Sequence, residues 1–578
     1  MKPRLLVLAC FTALAFTRPA SAAPVPIDTK NNAGPVVAMQ MKSIDELLKT
    51  LTTTTKTYLP DKLFKEFEKE FLSKLDVSML KGVDTKKPFG LYASVDASIL
   101  KGDLTKSTIV AMVPVTDEKE FVALLTAMAE LKIEKKGDVY TFPIPDSELE
   151  ASMRFLKGYA YIGIAGEKLD PKLLLDPSEV IDAKEQAAFA MRLRVDRIPV
   201  ELKEAAIQFL AQGGDMFKDM AGLPPELVAV FNDGIKTLIK WTKWGCDDGK
   251  EFVLRLDLDG SSGSVLVETA FEPKTGTTLA KAISALKPTK NDYASIVTSE
   301  SAAHLYVQAP LFIEEVQSFL VQLIDVGAKL TADEKKNGAV LEQPDVAVAQ
   351  RKVVAELFTM LSKSVKSGNV DLAASLRGPD KEDRYTIVGA VGLKETDTLV
   401  QSLRALIKVA PEYAQNKLKF DAFKIGEINV HEINVGDELP DEMVKVFTKS
   451  SIYVAPTPQG VFVTFGAQAK EAMKELVTAK WEAKPAPLVL AEVSGKRMMA
   501  FLKSAGAPLD GDVGQFIEKF GKMDKVNAMQ IKVQGGDRFV VRYELGLLPL
   551  LGTMGLGYAA EKSFEVRPPV EVKPDAKK

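Results

Sequence analysis

A chain of 578 residues that is 46% hydrophobic and 26% charged has the make-up of globular domains, which excludes wholesale disorder, a collagen-like fibre and a polytopic membrane protein. Its 75 Lys and Arg face 78 Asp and Glu, so no broad basic field is present to hold nucleic acid. Two Cys and two His leave little material for metal or thiol chemistry, and the length predicts about two to four domains.

The first element is an export signal. Lys2 and Arg4 precede an apolar run over residues 5–16, and Ala20-Ser21-Ala22 supplies the small-x-small pattern, so cleavage is expected after Ala22. The run is shorter than the roughly 20 residues that cross a bilayer, and Arg18-Pro19 ends it. A lipoprotein reading would use Cys10, but the apolar run continues past it to Phe16. The expected location is the periplasm or the outside of a bacterial cell. Cleavage leaves Cys246 as the single thiol, so stability must come from burial and not from an internal disulfide. Residues 23–35 read as a linker. No later segment reads as a transmembrane span.

The rest of the chain reads as two homologous halves, 36–290 and 298–560. TIVAMVPVTDEKEFVALL (108–125) answers TIVGAVGLKETDTLVQSL (386–403), FGLYASVD (89–96) answers VDLAASLR (370–377), and VYTFPIPD (139–146) answers VHEINVGD (430–437). GYAYIGIAGEK (158–168) pairs with GVFVTFGAQAK (460–470), and VVAMQMKSIDE (36–46) with HLYVQAPLFIE (304–314). The recurring unit is strand, one or two helices, β-hairpin, helix, near 36–132, 188–287, 303–410 and 487–558. Strand-rich inserts at 138–178 and 421–478 separate the units of each half. Ser43-Ile44-Asp45-Glu46 is a capping box that opens the first helix. Phe121, Leu124, Leu125, Met128 and Leu131 form one apolar helical stripe, and Leu399, Leu403, Leu406 and Ile407 repeat it. Phe252, Leu254, Leu256 and Leu258 alternate with Arg255, Asp257 and Asp259, a strand that turns at 260–263 into SVLVETAF (264–271). The late hairpin, 529–545, turns at Gly535-Gly536-Asp537. The fold class is α+β: antiparallel sheets, internally duplicated, with helices covering mainly one face. Residues 566–578 are rich in Pro and Lys and read as a disordered tail.

Candidate chemistry is sparse along this frame. Cys246 lies between Trp244 and Asp247-Asp248, acids that raise a thiol pKa, which favours an inert thiol; a disulfide to a second copy, and so a homodimer, stays open. Asp257-x-Asp259-Gly260 begins like a calcium loop with Glu268 at the twelfth position, but Ser262 stands where the loop needs Gly. His304 and His431 fall in strands without a nucleophile or ligand motif beside them, which favours structural roles. Phosphate loops, the GxSxG elbow and HExxH are missing. Leu545–Ala560 is the longest uncharged stretch, broken by Pro549 and four glycines. Its Leu545, Leu547, Leu548, Leu550, Leu551, Met554 and Leu556 read either as an apolar contact surface or as a buried connection closing the second half.

The signal peptide, the single-thiol mature chain, the duplicated strand–helix–hairpin units and segments such as TIVAMVPV and TIVGAVGL resemble the large secreted proteins of planctomycete-type bacteria. The resemblance implies the architecture and transfers no site residue. Three functions follow, in order: a non-enzymatic envelope scaffold or protein-binding module, a periplasmic carrier of an apolar ligand such as a lipid or lipoprotein, and a carboxylate-based hydrolase. No catalytic residue, metal or cofactor is expected. The partner is an envelope protein or an apolar ligand. A carrier would expose Met, Phe and Leu on a concave sheet face over a deep cavity; a hydrolase would bring two acids together in one cleft.

Overall fold

The computed structural model describes residues 34–546 except 59–60, 71–76, 104–105, 130–131, 145–149, 165–168, 217–224, 261–262, 292, 299, 311–316, 319, 323, 327–343, 394–395, 410–414, 480–483 and 507–526. The export signal with Ala22, the linker up to residue 33, Leu547 through Leu556 and the tail lie outside the described residues.

Helices and strands alternate along the chain. The first half runs β1 (Val37–Met41), α1 (Ile44–Tyr58), α2 (Asp61–Glu70), β2 (Phe89–Ser94), β3 (Thr108–Pro114), α3 (Glu118–Ala129) and β4 (Glu134–Lys136). It continues β5 (Val139–Pro143), β6 (Glu150–Leu156), β7 (Tyr159–Ile164), α4 (Pro177–Val180), β8 (Phe189–Leu193), α5 (Val200–Met216), α6 (Pro225–Asp248), β9 (Gly249–Asp259), β10 (Ser264–Pro273) and α7 (Thr278–Ala285). After β11 (Thr289–Asn291) come β12 (Ser301–Pro310), α8 (Pro344–Lys366), β13 (Asn369–Arg377), β14 (Thr386–Val391), α9 (Thr396–Val409), β15 (Leu418–Ile425) and β16 (Ile428–Asn434). The chain then runs α10 (Asp441–Phe447), β17 (Ser451–Thr457), β18 (Gly460–Gly466), α11 (Ala469–Thr478), β19 (Lys484–Ala486), β20 (Val489–Ser494), α12 (Gly495–Ser504), β21 (Asn527–Gln534) and β22 (Phe539–Gly546). The protein is α+β, with helices on a large antiparallel sheet.

Helix starts follow local chemistry. The Glu46 N–H donates to Ser43 Oγ at 3.3 Å, satisfying one otherwise orphan donor where the sequence places a cap. Asp176 and Glu179 cap α4 reciprocally, with Pro177 at its first position. Gly82, at φ +80°, lets the loop before β2 pass beneath α3: Thr116 N–H donates to its carbonyl at 2.9 Å, and a Cβ there would lie 2.2 Å from the Phe121 nitrogen. That close approach accounts for the glycine.

Among the described residues, twenty strands share one sheet, joined where β10 pairs with β22, from Ser264 opposite Gly546 to Phe271 opposite Phe539. Outward from β10 the order is β9, β8, β1, β2, β3, β7, β6, β5, β4. Outward from β22 it is β21, β20, β12, β13, β14, β18, β17, β16, β15. Each neighbour is antiparallel, and the two outward sequences have the same pattern of hairpins and crossovers. The strand-rich inserts therefore extend the main sheet through β3–β7 and β14–β18. Its two edges are blunted: β4 is short and exposed, and β15 carries Lys419, Lys424 and a bulge around Asp421 at φ +51°.

Near both ends, helices or loops cover both faces, unlike the mainly one-faced cover expected from the sequence. In the first half Ile109, Ala111 and Val113 pack under Phe121 and Leu125 of α3, while Val110 and Met112 on the reverse face pack with Tyr92, Tyr161, Leu169 and Val180. In the second half Tyr306, Ala373, Val388 and Phe462 meet Met473 and Leu476 of α11 on one face; Leu376 and Phe465 meet Tyr385, Phe447 and Phe501 on the other. Strands such as β3 are apolar at every position after Thr108, so both their faces demand cover.

Candidate functional site

Between those two-sided ends the sheet divides its chemistry by face. Because side chains alternate, cross-strand partners share a face. One row runs Leu256, Val267, Tyr543, Ile531, Ala491, Leu305, Ala374: seven adjacent strands, each contributing an apolar side chain. The row beside it runs Leu258, Val265, Leu545, Met529, Val493, Ala303, Leu376, Ile387. On the other side lie Leu254, Thr269, Val541, Val533, Val489, Val307 and Leu372. Leu256, Leu305 and Ile387 are each more than a third exposed, and Tyr543 is 45% exposed. Seven strands about 4.8 Å apart span roughly 29 Å from β9 to β13. Helix α12 packs on β12, β20 and β21, and Leu376 at the margin is covered by the Tyr385–Phe447 cluster. Of the predicted Leu545–Ala560 surface, Leu545 and Gly546 are among the described residues, and Leu545 is the one predicted contact residue of the two. It lies on this face, half-buried in β22.

The reverse face is polar and largely self-satisfied. Arg255 donates to Glu185 and to Glu268, each at 3.0 Å. Ser264 donates to Glu544 at 2.9 Å, Gln530 donates to Glu492 at 2.9 Å, and Lys42 stands 3.8 Å from Asp257. An open cleft of about 780 Å³ on this side lies between α1 and the strands, lined by Lys42, Glu46, Lys49, Asp182, Glu185 and Asp257 among others. Burial pushes Glu185 up, but the Ala187 N–H and Arg255 outweigh it and hold the carboxyl below its ordinary value. Asp96, Asp176, Asp196 and Glu272 are likewise shifted down by hydrogen bonds and cations, so the displaced carboxylates among the described residues are stabilised as anions. Glu268, the twelfth position of the calcium-like spacing, faces Arg255, while Asp257 accepts from the Ala188 N–H at 3.1 Å. The three acids are not gathered around one point.

Both histidines lie in strands. His431 is buried in β16, accepts the Asp421 N–H at Nδ1 (3.1 Å) and stacks edge-on against Phe420. His304 lies opposite Glu492, 4.0 Å away, with its Nε2 buried and unbonded. Burial lowers both imidazole pKa values, against the pull of Glu492 on His304 and of Asp421 on His431; Arg404 adds to the lowering at His431. The folded rings bind protons less tightly than unfolded ones, so stability is full at neutral pH and falls as pH drops below about 6.5. Each ring contributes a slope of at most about 1.4 kcal/mol per pH unit. Urea unfolding between pH 7.5 and pH 5 should show this loss, and His304→Gln should flatten its share.

Cys246 is carried on α6, half-buried, with its carbonyl accepting from Lys203 Nζ at 3.0 Å. Burial raises the thiol pKa first and Asp247 adds to it, against Lys203, so the flanking acids are the minor cause. Trp244 donates to Asp248 at 3.0 Å. Sequence reasoning found the alternation of the β9–β10 hairpin but not the apolar face, because a face is a property of strands brought together from both halves.

No family model matches the chain, and no curated protein matches it. Among solved structures, crystal form III of TP0453, a Treponema protein, aligns over 47% of this chain and 90% of its own at 9% identity, with a TM-score of 0.22. A likeness at that level carries no argument about fold or function.

Proposed function

We propose that this is an exported, non-enzymatic binding protein whose working surface is the apolar face of the central strands, and that it takes an apolar ligand there. The carrying observation is the unbroken row from Leu256 to Ala374 across seven strands, with Leu256, Tyr543 and Leu305 each over a third exposed. Apolar side chains left open along such a row are costly in water and are retained where something apolar covers them. The apolar-ligand reading therefore stands ahead of the scaffold reading. The hydrolase reading needs a carboxylate of raised pKa in a shared cleft, and Glu185 in the polar cleft is shifted the opposite way.

We also infer that the halves 36–290 and 298–560 descend from one ancestral unit. The paired sequence segments and the matching order of strands on either side of the β10–β22 junction support this. The signal ending at Ala22 and the resemblance to secreted planctomycete-type proteins support export to the periplasm or beyond. Native mass spectrometry of detergent-free protein from its own envelope fraction tests the function. The expected result is additional mass of lipid size that organic extraction removes. A clean polypeptide mass would overturn the bound-ligand reading and return attention to a protein partner.

A further inference from the structure

The helices α5 and α6 pack against one another. Lys203, near the start of α5, donates to the carbonyl of Cys246, near the end of α6, so the pair runs antiparallel with that contact as its register mark. With about 1.5 Å of rise per residue, Phe209 lies roughly 9 Å along α5 from the mark. Trp241 and Leu238 lie roughly 7.5 and 12 Å along α6 in the same direction. The three side chains therefore occupy one level of the pair.

Side chains turn by about 100° per residue, which also fixes the side each occupies. With the Lys203–Cys246 line facing inward, Phe209, Leu238 and Trp241 project to the same side of the two-helix layer. Lys236, Lys240, Lys243, Glu201 and Glu204 project to the other. The apolar side is open: Phe209 is 75% exposed and Leu238 52%, and Trp241 is exposed beside them. Lys236 pairs with Asp233 at 2.8 Å, yet residues 234–246 hold three lysines and no acid.

We propose that this helix pair is a docking surface for an anionic lipid bilayer, resting with Phe209, Leu238 and Trp241 in the headgroup–acyl boundary. Two features favour a bilayer over a protein groove. A layer with Trp, Phe and Leu on one side and three lysines and two glutamates on the other has the amphipathic pattern of helices that lie in the membrane interface. Trp is also the side chain that gains most from a boundary where its ring is dry and its N–H is wet. The lysine-only stretch adds attraction to negative headgroups. This surface is separate from the central sheet face, so the inference stands or falls apart from the ligand reading.

Flotation of the full chain with phosphatidylcholine vesicles, with and without 30% phosphatidylglycerol, tests it. The expected result is flotation with the anionic vesicles. Phe209→Ser and Leu238→Ser should each lower the bound fraction at least fivefold. The triple change Lys236→Gln, Lys240→Gln, Lys243→Gln should remove the preference for the anionic vesicles. Because all five positions are exposed, circular dichroism should match the parent chain. Equal flotation of parent and Ser variants, or no flotation of the parent, would overturn the proposal. So would a lipid-free dimer of the parent that the Ser variants dissolve, since that would make a second copy the occupant. Sheet-face variants that lose bound lipid mass yet still float would confine the failure to the ligand reading.

Discussion

Replacing Leu305 with Asp is expected to weaken binding of an apolar ligand at least tenfold. Leu305 is the sixth residue of the seven-strand row, opposite Ala491 on one side and Ala374 on the other, with more than a third of its surface open. A carboxylate there must either lose its water against hydrocarbon, at a cost of several kcal/mol, or hold the ligand away from the sheet. Tenfold corresponds to only about 1.4 kcal/mol, so the expectation is conservative. Tyr543→Asp, in β22 beside Val267 of the first half, should do the same. Leu305→Met keeps the volume and should stay within about twofold of the parent, and Lys532→Gln, on the reverse face of β21, should change nothing. Displacement of a fluorescent fatty-acyl probe from delipidated protein reads all four. If both Asp variants bind like the parent, the ligand does not lie on this face.

The second large effect is on stability. Gly82→Ala is expected to cost about 2–4 kcal/mol, combining a left-handed backbone with a Cβ driven to 2.2 Å from the Phe121 nitrogen and 2.7 Å from the Asp117 carbonyl. Backbone atoms of α3 cannot swing aside as a flexible side chain would. Gly137 separates the two causes, since it has φ +64° and nothing within 4 Å of the same position. Gly137→Ala should therefore cost only about 1 kcal/mol, the conformational part alone. Urea unfolding of the two variants side by side measures the difference, and equal losses would show that the contact with α3 contributes nothing.

Much of the local structure was legible because it depends on near neighbours in the chain. The cap at Ser43, the apolar stripe through Phe121 and Leu125, and the alternation of Leu254, Leu256 and Leu258 with Arg255 and Asp257 all follow from spacing alone. What spacing leaves open is which neighbour a strand acquires. Leu256 and Tyr543 share a row only because β10 pairs with β22, residues some 280 positions apart in the chain, and no local pattern specifies that. Nor does alternation distinguish an apolar face that is covered from one left open: Ile109 and Leu305 look alike in sequence, yet one lies against α3 and the other meets solvent. The pairing of His304 with Glu492 was hidden for the same reason, since it spans β12 and β20. Phe209, Leu238 and Trp241 passed unnoticed because on single helices they resemble ordinary core positions.

The β10–β22 junction has a consequence for how the chain matures. Leaving a ribosome or a translocation pore amino terminus first, the polypeptide presents β10 long before β22 exists to meet it. Until residues 539–546 arrive, β10 shows an eight-residue edge on which every second residue has its amide and carbonyl unpaired, beside an apolar row, the features that recruit strands from other molecules. The late-made β22 thus closes an exposed edge of the first-made half. Chains cut short before residue 539 should aggregate through that edge, and a folding helper acting on this protein has its clearest task in shielding β10 during that interval.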